Sequence, residues 1–307
     1  MENVATVILN WNSSADTANC VKSLNSAPNI VVVDNGSDNK ELETLKNSLP
    51  KNIYLVVNDT NYGFAKGNNI GINFALKKFS PEFIMLLNSD TTASPDFLSP
   101  LLDIIRADNS IAAVQPKILK LNAPDIIDSA GQIPYKYGSV RDIGLNLPDG
   151  PTYQNTQEIF GACAAAVLLR VSALKNVGFF DEDLFCLFED VDLSWRLRLA
   201  GYKIFYEPKS IIYHKRGISG TINKSNLTIR RFYGFRNCLI TTLRYYPAKY
   251  IFLYTLVHLY RLFTAIFFKF RNNEKAPLFS LISKGLSDRK TINQNVNLRI
   301  TQKNWII

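Results

Sequence analysis

The chain has 307 residues, 47% of them apolar, and carries 35 Lys and Arg against 26 Asp and Glu. This length and apolar content exclude a disordered or fibrous chain and allow one large core or two modest ones. The charge is uneven, because residues 1–200 hold 16 basic and 23 acidic side chains, whereas residues 201–307 hold 19 and 3. We therefore expect a main domain followed by a basic region, and charge alone does not decide between nucleic acid and anionic lipid as its partner.

The cysteines predict a compartment. They are far apart in the sequence and form no CxxC pair, and the N-terminus runs directly into an apolar strand instead of a secretory signal. The four positions are Cys20, Cys163, Cys186 and Cys238. A reducing cytosol fits this pattern best.

The first 120 residues alternate short apolar runs with spacers long enough for crossover helices. The runs are "VATVILNW", "IVVVDNGS", "IYLVVNDTNYG", "FIMLLNSD" and "IAAVQPKIL". Strands that are buried on both faces read as continuous Val, Ile and Leu. The pattern predicts an α/β fold with a mostly parallel sheet and flanking helices.

Four of these runs end in small polar or acidic residues. The four ends are Asn10 to Asn12, Asp34 to Ser37, Asn58 to Gly63, and Asn88 to Asp90. Each cluster alone is equally well explained by turn formation. In an open α/β sheet, however, ligands bind outside the carboxyl ends of the strands, so four successive clusters favour one ligand-binding rim.

The rim lacks two common phosphate-binding motifs. Neither GxGxxG after the first strand nor GxxxxGK[ST] is present, which argues against a dinucleotide site or a P-loop site. An acid at the end of the fourth run, Asp90, suits a divalent cation that bridges a diphosphate, because hard cations bind through one or two carboxylates and substrate phosphates.

The segment Leu187 to Gly201 predicts a helix with three acids in its first turn. Glu189, Asp190 and Asp192 would face the positive end of the helix dipole, and Asp192 and Arg196 have the spacing of an ion pair. The acids could simply stabilise the helix start. Further on, His214 follows an apolar run and precedes Lys215, Arg216, Gly217 and Ser219, a set suited to holding phosphate.

Five motifs resemble the family 2 glycosyltransferases of GT-A fold, and especially their bacterial rhamnosyltransferase-like branch. They are "VILNWN", "IVVVDNGSDN", "NDTNYGFAKGNNIGI", "LLNSDT" and "GFFDEDLFCLFEDVDLSWRLRLAGYKI", in the family's order over residues 4–220. The resemblance implies a Rossmann-like GT-A domain at residues 1–220. Residues 221–307 would form a basic, apolar-rich helical extension.

The resemblance also implies residue roles. Asp190 would be the general base, Asp90 and His214 would bind Mg²⁺ or Mn²⁺, and Glu189, Asp192 and Arg196 would support the site. The acid that often precedes Asp90 by two residues is replaced by Asn88. Implied contacts to a nucleotide-sugar donor are Asn10, Asn12, Asp34, Asn35, Gly36, Asn61, Gly63, Phe64, Gly67, Asn68, Asn88 and Ser89.

The segment Lys249 to Phe270 is long enough to cross a membrane, but Arg261 lies near its middle. A central arginine costs about 2.5–3.5 kcal/mol in a spanning helix. An interfacial helix is therefore favoured, while a spanning helix and a core or dimer helix remain alternatives. The flanking basic residues favour an anionic surface, because each contributes about 1 kcal/mol there.

Together these features predict an inverting, metal-dependent enzyme that transfers a sugar to a glycan or polyprenyl-linked acceptor. The resemblance alone implies that this sugar is L-rhamnose from dTDP-rhamnose. The enzyme would act in cell-surface polysaccharide synthesis, at the cytoplasmic face of the cell membrane. Other donors such as a UDP-hexose or UDP-galactofuranose remain open, as does a catalytically silent sugar-nucleotide-binding module. No nucleic-acid partner is expected, because the basic region lacks the patterns of a nucleic-acid reader.

Overall fold

The computed structural model describes residues 3–24, 27–135, 138–216 and 224–247, together with residues 251, 254, 287 and 288. Its strands are β1 (Val4–Asn10), β2 (Ile30–Asn35), β3 (Tyr54–Asn58), β4 (Phe83–Asn88), β5 (Thr91–Ala93), β6 (Ile111–Lys120), β7 (Ala123–Ser129), β8 (Gln132–Pro134), β9 (Val140–Asp142), β10 (Gln157–Glu158), β11 (Ala166–Arg170) and β12 (Lys203–His214). Its helices are α1 (Ser14–Ser23), α2 (Asn39–Ser48), α3 (Gly63–Phe79), α4 (Leu98–Ala107), α5 (Val171–Val177), α6 (Glu189–Leu199) and α7 (Lys224–Tyr245).

One sheet organises the described residues, in the order β10-β12-β6-β11-β4-β1-β2-β3, with β5 paired to β12 and β7 to β6. Strands β3, β2, β1 and β4 are mutually parallel, and β6 and β12 run in the same direction as they do. Strand β11 is inserted antiparallel between β4 and β6. The small hairpin of β8 and β9 is separate from this sheet.

The predicted α/β fold with a mostly parallel sheet is confirmed. The five apolar runs form β1, β2, β3, β4 and β6, and helices connect the first four of them. The antiparallel β11 was not predicted, because its five residues in "ACAAAVLLR" carry no turn signal that fixes their direction. Its carboxyl end therefore faces away from the rim formed by its neighbours.

Apolar clusters cover both faces of the sheet, as the continuous apolar runs require. Helix α3 lies unusually close to β1, because a Cβ on Gly67 would be 2.6 Å from Leu9 Cδ1 and one on Gly71 would be 2.5 Å from Val7 Cγ1. Gly67, predicted as a donor contact, thus has a packing role. The close approach brings the beginning of α3 to the carboxyl ends of β1 and β2.

Helix α7 packs against α6. Trp195 of α6 stacks on Tyr245 at a centroid distance of 5.5 Å, and Tyr246 and Tyr254 belong to the same buried cluster. The beginning of the predicted C-terminal region therefore shares a core with the first 220 residues, and the predicted division at residue 220 stays a prediction.

Most of the predicted membrane segment Lys249 to Phe270 lies outside the described residues. Two of its residues, Ile251 and Tyr254, are described, and Tyr254 is buried, with its hydroxyl donating to the carbonyl of Tyr135 at 3.1 Å. No helix in the described ranges is both long enough and apolar enough to cross a membrane.

Candidate active site

Asp90 and His214 come together because β5 and β12 pair. Thr91, the first residue of β5, lies opposite His214, the last residue of β12. This register places Asp90 beside the imidazole, with Oδ1 3.1 Å from Nε2. Two residues that are 124 positions apart and were both predicted as metal ligands thus form one pair.

A third residue, Asp128 at the end of β7, holds the other side of the imidazole. Its Oδ2 lies 2.8 Å from His214 Nδ1, and its Oδ1 accepts from Arg216 at 2.7 Å. Burial alone would lower the pKa of His214, but the hydrogen bonds to Asp128 and Asp90 raise it to about 9. Burial opposes ionisation of Asp128, yet His214 and Arg216 outweigh it and lower the pKa of that carboxyl.

The donor atoms of this cluster fit a divalent cation. One carboxylate oxygen and one imidazole nitrogen face each other, and a carboxylate fixes the second imidazole nitrogen, an arrangement typical of metal-binding histidines. Among the described residues, no group of three or more His, Cys, Asp and Glu side chains forms a complete site by itself. Asp90 and His214 could therefore contribute two ligands, and water or substrate oxygens would supply the others.

Asn10 and Asp34 form the base of the rim. Asn10 Nδ2 donates to Asp34 Oδ1 at 2.8 Å, and Asp34 also accepts from the hydroxyl and the backbone N–H of Ser37. Both side chains are 0% exposed. The nearby Asn12 is half-buried, and its Oδ1 accepts from the backbone of Asp38. This network orders the ends of β1 and β2, and donor binding by these residues stays a prediction.

Asn35 organises the loop between β3 and α3. Its Nδ2 donates to Asn61 Oδ1 at 3.0 Å and to the carbonyl of Gly63 at 3.1 Å, and its Oδ1 accepts from the backbone N–H of Tyr62. Gly63 has φ +82°, and a Cβ there would lie 2.6 Å from the carbonyl oxygen of Phe185. Glycine is needed for both the angle and the space.

The remaining predicted donor contacts lie along the same edge. Gly36 has φ +71° and closely approaches the backbone of Thr60, and the rings of Phe64 and Phe180 are 6.2 Å apart. Asn68 bonds within α3, donating to the carbonyl of Phe64. Asn88 is the last residue of β4, and Ser89 lies between it and Asp90. Their contacts to a nucleotide sugar also stay predictions.

Asp190, the predicted base, lies in the first turn of α6. Its Oδ2 accepts from Gln132 Nε2 at 2.9 Å and from the backbone N–H of Ala164 at 3.2 Å, and its Oδ1 accepts from the N–H of Val191. Burial raises the pKa of Asp190, the negative charge of Asp142 adds to the rise, and these hydrogen bonds oppose it. The result is an oriented carboxylate with increased basicity.

We define the metal-type cluster as Asp90, Asp128 and His214. A series of contacts lies between it and the proposed base. Gln132, which contacts Asp190, lies opposite Asp142 in the β8–β9 hairpin. Asp142 Oδ2 accepts from Arg216 Nη2 at 2.6 Å, and Arg216 also binds Asp128. Burial raises the pKa of Asp142, and Arg216 opposes this. Arg216 therefore joins Asp128, which binds His214, to Asp142, which lies opposite the Gln132 that binds Asp190.

The other two acids of α6 have different surroundings. Asp192 is buried and forms the predicted ion pair with Arg196 at 2.8 Å, while Arg244 and the hydroxyl of Tyr245 also bind it. Glu189 is 6% exposed, and its Oε2 has no hydrogen-bond partner in the described part of the chain. Burial raises the pKa of Glu189 well above its ordinary value.

Sequence reasoning missed several residues of the site. Asp142 ends a strand of only three residues, and Asp128 lies in β7, whose sequence APDIIDS is not a continuous apolar run, so the signal that found Asp90 was weaker for them. Gln132 lies in no sequence motif that would indicate a functional role. Asn69, adjacent to the predicted Asn68, bonds reciprocally with the backbone of Phe180 across 111 residues. Its presence in "GNNIG" could have indicated a second amide of structural importance.

The order of these features along the chain agrees with a known family. Residues 2–232 match the family described as glycosyltransferase like family 2. The chain belongs to this family. The predicted resemblance to family 2 glycosyltransferases is thus confirmed. The matched range includes every predicted metal-binding, catalytic and donor-binding residue.

Curated relatives of this glycosyltransferase family 2 chain act on glycans according to their names. This chain is 24% identical over 206 residues to a low-salt glycan biosynthesis hexosyltransferase of Haloferax volcanii, and the alignment covers 66% of this chain and 64% of that protein. It is 27% identical over 225 residues to poly-β-1,6-N-acetyl-D-glucosamine synthase of Staphylococcus epidermidis, covering 69% and 50%. The chain spans between half and two thirds of these relatives, and neither name indicates rhamnose, so the rhamnosyltransferase branch stays a prediction.

A solved structure supports the fold. The crystal structure of GalNAc-T7 with UDP, GalNAc and Mn²⁺ superimposes with a TM-score of 0.64 at 15% identity, covering 96% of this chain and 58% of that one. The family 2 chain therefore has the GT-A fold. At this identity the similarity concerns the fold alone.

Proposed function

We propose that this chain is an inverting, metal-dependent glycosyltransferase that moves a sugar from a nucleotide-sugar donor to a hydroxyl of a glycan or lipid-linked acceptor. The observation that carries the proposal is the setting of Asp190. This carboxylate is oriented by Gln132 and the backbone of Ala164, and burial raises its pKa, which are the properties of a general base. Membership of family 2 and the convergence of Asp90 with His214 support the same activity.

In the proposed reaction, Asp190 accepts the proton of the acceptor hydroxyl. The acceptor oxygen forms a bond to the anomeric carbon of the sugar, and the bond from that carbon to the diphosphate oxygen breaks. The nucleoside diphosphate leaves with the electron pair, and the configuration at the anomeric carbon is inverted. The proton held by Asp190 is then released to solvent.

Asp90 and His214 would hold a divalent cation, Mg²⁺ or Mn²⁺. Such an ion, when bound, neutralises the charge that develops on the leaving diphosphate. Asp128 fixes the imidazole so that Nε2 faces Asp90. The Mn²⁺ named for the GalNAc-T7 structure supports the use of a divalent cation.

The donor sugar is the finer part of the proposal. We propose dTDP-L-rhamnose as the first donor to test, because the motifs resemble the rhamnosyltransferase-like branch. The names of the relatives favour a hexose or an N-acetylhexosamine, so UDP-glucose, UDP-N-acetylglucosamine and UDP-galactofuranose are the alternatives. The GT-A framework itself does not distinguish them.

The acceptor and the location rest on the basic C-terminal region. Residues 201–307 carry 19 basic and 3 acidic side chains, which suits an anionic membrane surface. We therefore propose a peripheral protein on the cytoplasmic face of the membrane that acts on a glycan or polyprenyl-linked acceptor.

The test measures nucleoside diphosphate release from each donor, with and without Mn²⁺, using wild-type protein and Asp190→Asn. Release that requires Mn²⁺ and is lost in the variant is the expected result. Donor binding by thermal shift without release from any donor, in the presence of a membrane extract as acceptor source, would instead indicate a silent nucleotide-sugar-binding module.

A further inference from the structure

The loop that leads into α6 has an unusual backbone. We define the base loop as residues 183–188, which end at the N-cap of α6, two positions before Asp190. Three of its residues have positive φ although none is glycine: Phe185 at 61°, Leu187 at 67° and Phe188 at 72°. This conformation is unfavourable for L-residues with large side chains, so it persists only where the surroundings impose it.

Helix α7 supplies those surroundings through Asn237. This side chain is 0% exposed, and its Nδ2 lies 2.8, 2.9 and 2.7 Å from the carbonyl oxygens of Leu184, Cys186 and Leu187. The two hydrogens of one amide are therefore shared among three carbonyls of the base loop. All three carbonyl oxygens therefore face the same amide nitrogen.

Arg236 fixes the orientation of that amide. Its Nε donates to Asn237 Oδ1 at 2.8 Å, and because Nε can only donate, the amide nitrogen must face the base loop. Its Nη2 donates to the carbonyls of Asp183 at 2.7 Å and Leu184 at 2.9 Å. The guanidinium also lies 4.6 Å from the ring of Tyr233, which stacks on Phe185.

The base loop contacts the donor side of the site as well. The carbonyl of Phe185 accepts from the backbone N–H of Ala65 at 3.0 Å, in the first turn of α3. Gly63, the first residue of α3, lies against both the ring and the carbonyl of Phe185. A shift of the loop would therefore move the start of α6 and the start of α3 relative to each other.

We propose that Arg236 and Asn237 are positioning residues for glycosyl transfer. They hold the base loop in its positive-φ conformation, and the loop in turn sets Asp190 relative to the proposed donor-binding end of α3. Both residues lie beyond the part of the chain that matches the family, which ends at residue 232. The inference rests on the proposed function, because it assigns its role through Asp190 as the base.

The test compares Asn237→Leu with Thr241→Val. The first variant keeps the volume of the side chain and removes the donated hydrogen bonds. The second removes a buried hydroxyl of the same helix that has no hydrogen-bond partner in the described ranges, so it is the matched control. Three quantities are measured on full-length protein: turnover, donor affinity, and amide hydrogen exchange over residues 184–191.

We expect Asn237→Leu to lower kcat by about 10- to 100-fold, because small misplacements of catalytic groups are costly. Donor affinity should stay within about twofold, and amide exchange should be faster in the base loop only. Thr241→Val should change none of the three. If Asn237→Leu does not fold, Arg236→Lys takes its place. This variant keeps the charge but loses the planar donors, and we expect the same effects in milder form.

Unchanged exchange and kcat in Asn237→Leu would overturn the proposal, and so would a loss of kcat that is matched in Thr241→Val. The exchange measurement does not depend on the reaction. If wild-type protein releases no nucleotide from any donor, the proposed function fails, whereas the control of the base loop by Asn237 is still decided by exchange.

Discussion

Gln132 Nε2 and Asp190 Oδ2 are 2.9 Å apart, and this hydrogen bond joins the β8–β9 hairpin to the first turn of α6. The donated hydrogen stabilises the ionised carboxylate and opposes the rise in pKa that burial causes. The negative charge of Asp142 also raises the pKa of Asp190, and the charge of Asp190 in turn adds to the raised pKa values of Glu189 and Cys163. The hairpin therefore tunes the proposed base as well as orienting it.

Gln132→Met should shift the acid limb of the pH–rate profile to higher pH. The variant removes a hydrogen bond to the charged form, so the pKa of Asp190 rises further, and a base that must be ionised becomes active only at higher pH. The measurement is kcat against pH for both proteins. Ile133→Val, in the same strand, is the control, and a limb that stays in place or moves to lower pH would contradict the prediction.

Asp190→Asn should separate binding from chemistry. The amide keeps the shape of the carboxylate but cannot accept the proton, so turnover should drop by about 10²–10⁴-fold while donor affinity and melting temperature change little. Turnover, donor titration and thermal unfolding are measured on the same preparation. Near-normal turnover would show that another group takes the proton, and Glu189 would be the next to substitute.

For both the metal-type cluster and the base, the sequence predicted the central residues but not the partners that hold them. Asp90 and His214 were noticed because each follows an apolar run, and Asp190 because it lies at a predicted helix start, while the family resemblance supplied the roles of Asp190 and His214. Their partners Asp128 and Gln132 were not noticed, because those contacts depend on long-range pairing. The hydrogen bond between Gln132 and Asp190 spans 58 residues, and the one between Asp128 and His214 spans 86.

The fold shows the same division. The parallel strands β1 to β4 were predicted from continuous apolar runs, since burial on both faces leaves a local pattern. The antiparallel insertion of β11 and the docking of α7 on α6 were not, because they depend on which surfaces fit together. Tyr254 illustrates the limit, since it lies in a segment predicted for the membrane and is buried beside Tyr246.

Asp128→Asn should weaken metal binding without removing either proposed ligand. The variant loses the negative charge that orients His214 through Nδ1, and such outer contacts typically contribute 10- to 100-fold in metal affinity, so a decrease of about that size is expected. Mn²⁺ binding with a nucleoside diphosphate is measured by calorimetry. Asp125→Asn, an exposed acid of the same strand, should bind as wild type.

Asp90→Ala should abolish both metal-dependent nucleotide binding and transfer, and His214→Ala should have a smaller effect. The carboxylate is the stronger ligand for a hard cation and brings the charge that balances it. Transfer is assayed with Mn²⁺ and with EDTA. Full activity of Asp90→Ala in EDTA would rule out metal-assisted transfer.

Asp192→Asn should destabilise the protein. Asp192 is 1% exposed and binds Arg196, Arg244 and the hydroxyl of Tyr245, so the substitution removes the buried negative charge that these groups share, and Arg244 keeps only its pairs with Asp181 and Asp288 among the described residues. Breaking a buried ion pair costs about 3–5 kcal/mol, and the free energy of unfolding in urea should fall by that order. Glu43→Gln removes an exposed pair with Lys46 and should cost less than about 1 kcal/mol. Equal effects of the two substitutions would show that the buried network contributes little.

Full-length protein should bind vesicles that contain anionic lipid, and high salt should weaken this binding. The reason is the excess of basic side chains in residues 201–307, whose attraction to the surface is screened by ions. Sedimentation with anionic and neutral vesicles gives the two affinities.

A combined variant with Lys249, Lys269 and Arg271 changed to Gln tests the region directly. It should lose part of its preference for anionic over neutral vesicles. The control variant removes the same charge from the first half of the chain, by changing Lys40, Lys46 and Lys51 to Gln, and should keep that preference. Equal binding to neutral and anionic vesicles would exclude the electrostatic contribution. If the protein binds neither kind of vesicle, the segment Lys249 to Phe270 packs in a protein core or dimer instead. The burial of Tyr254 already agrees with such packing.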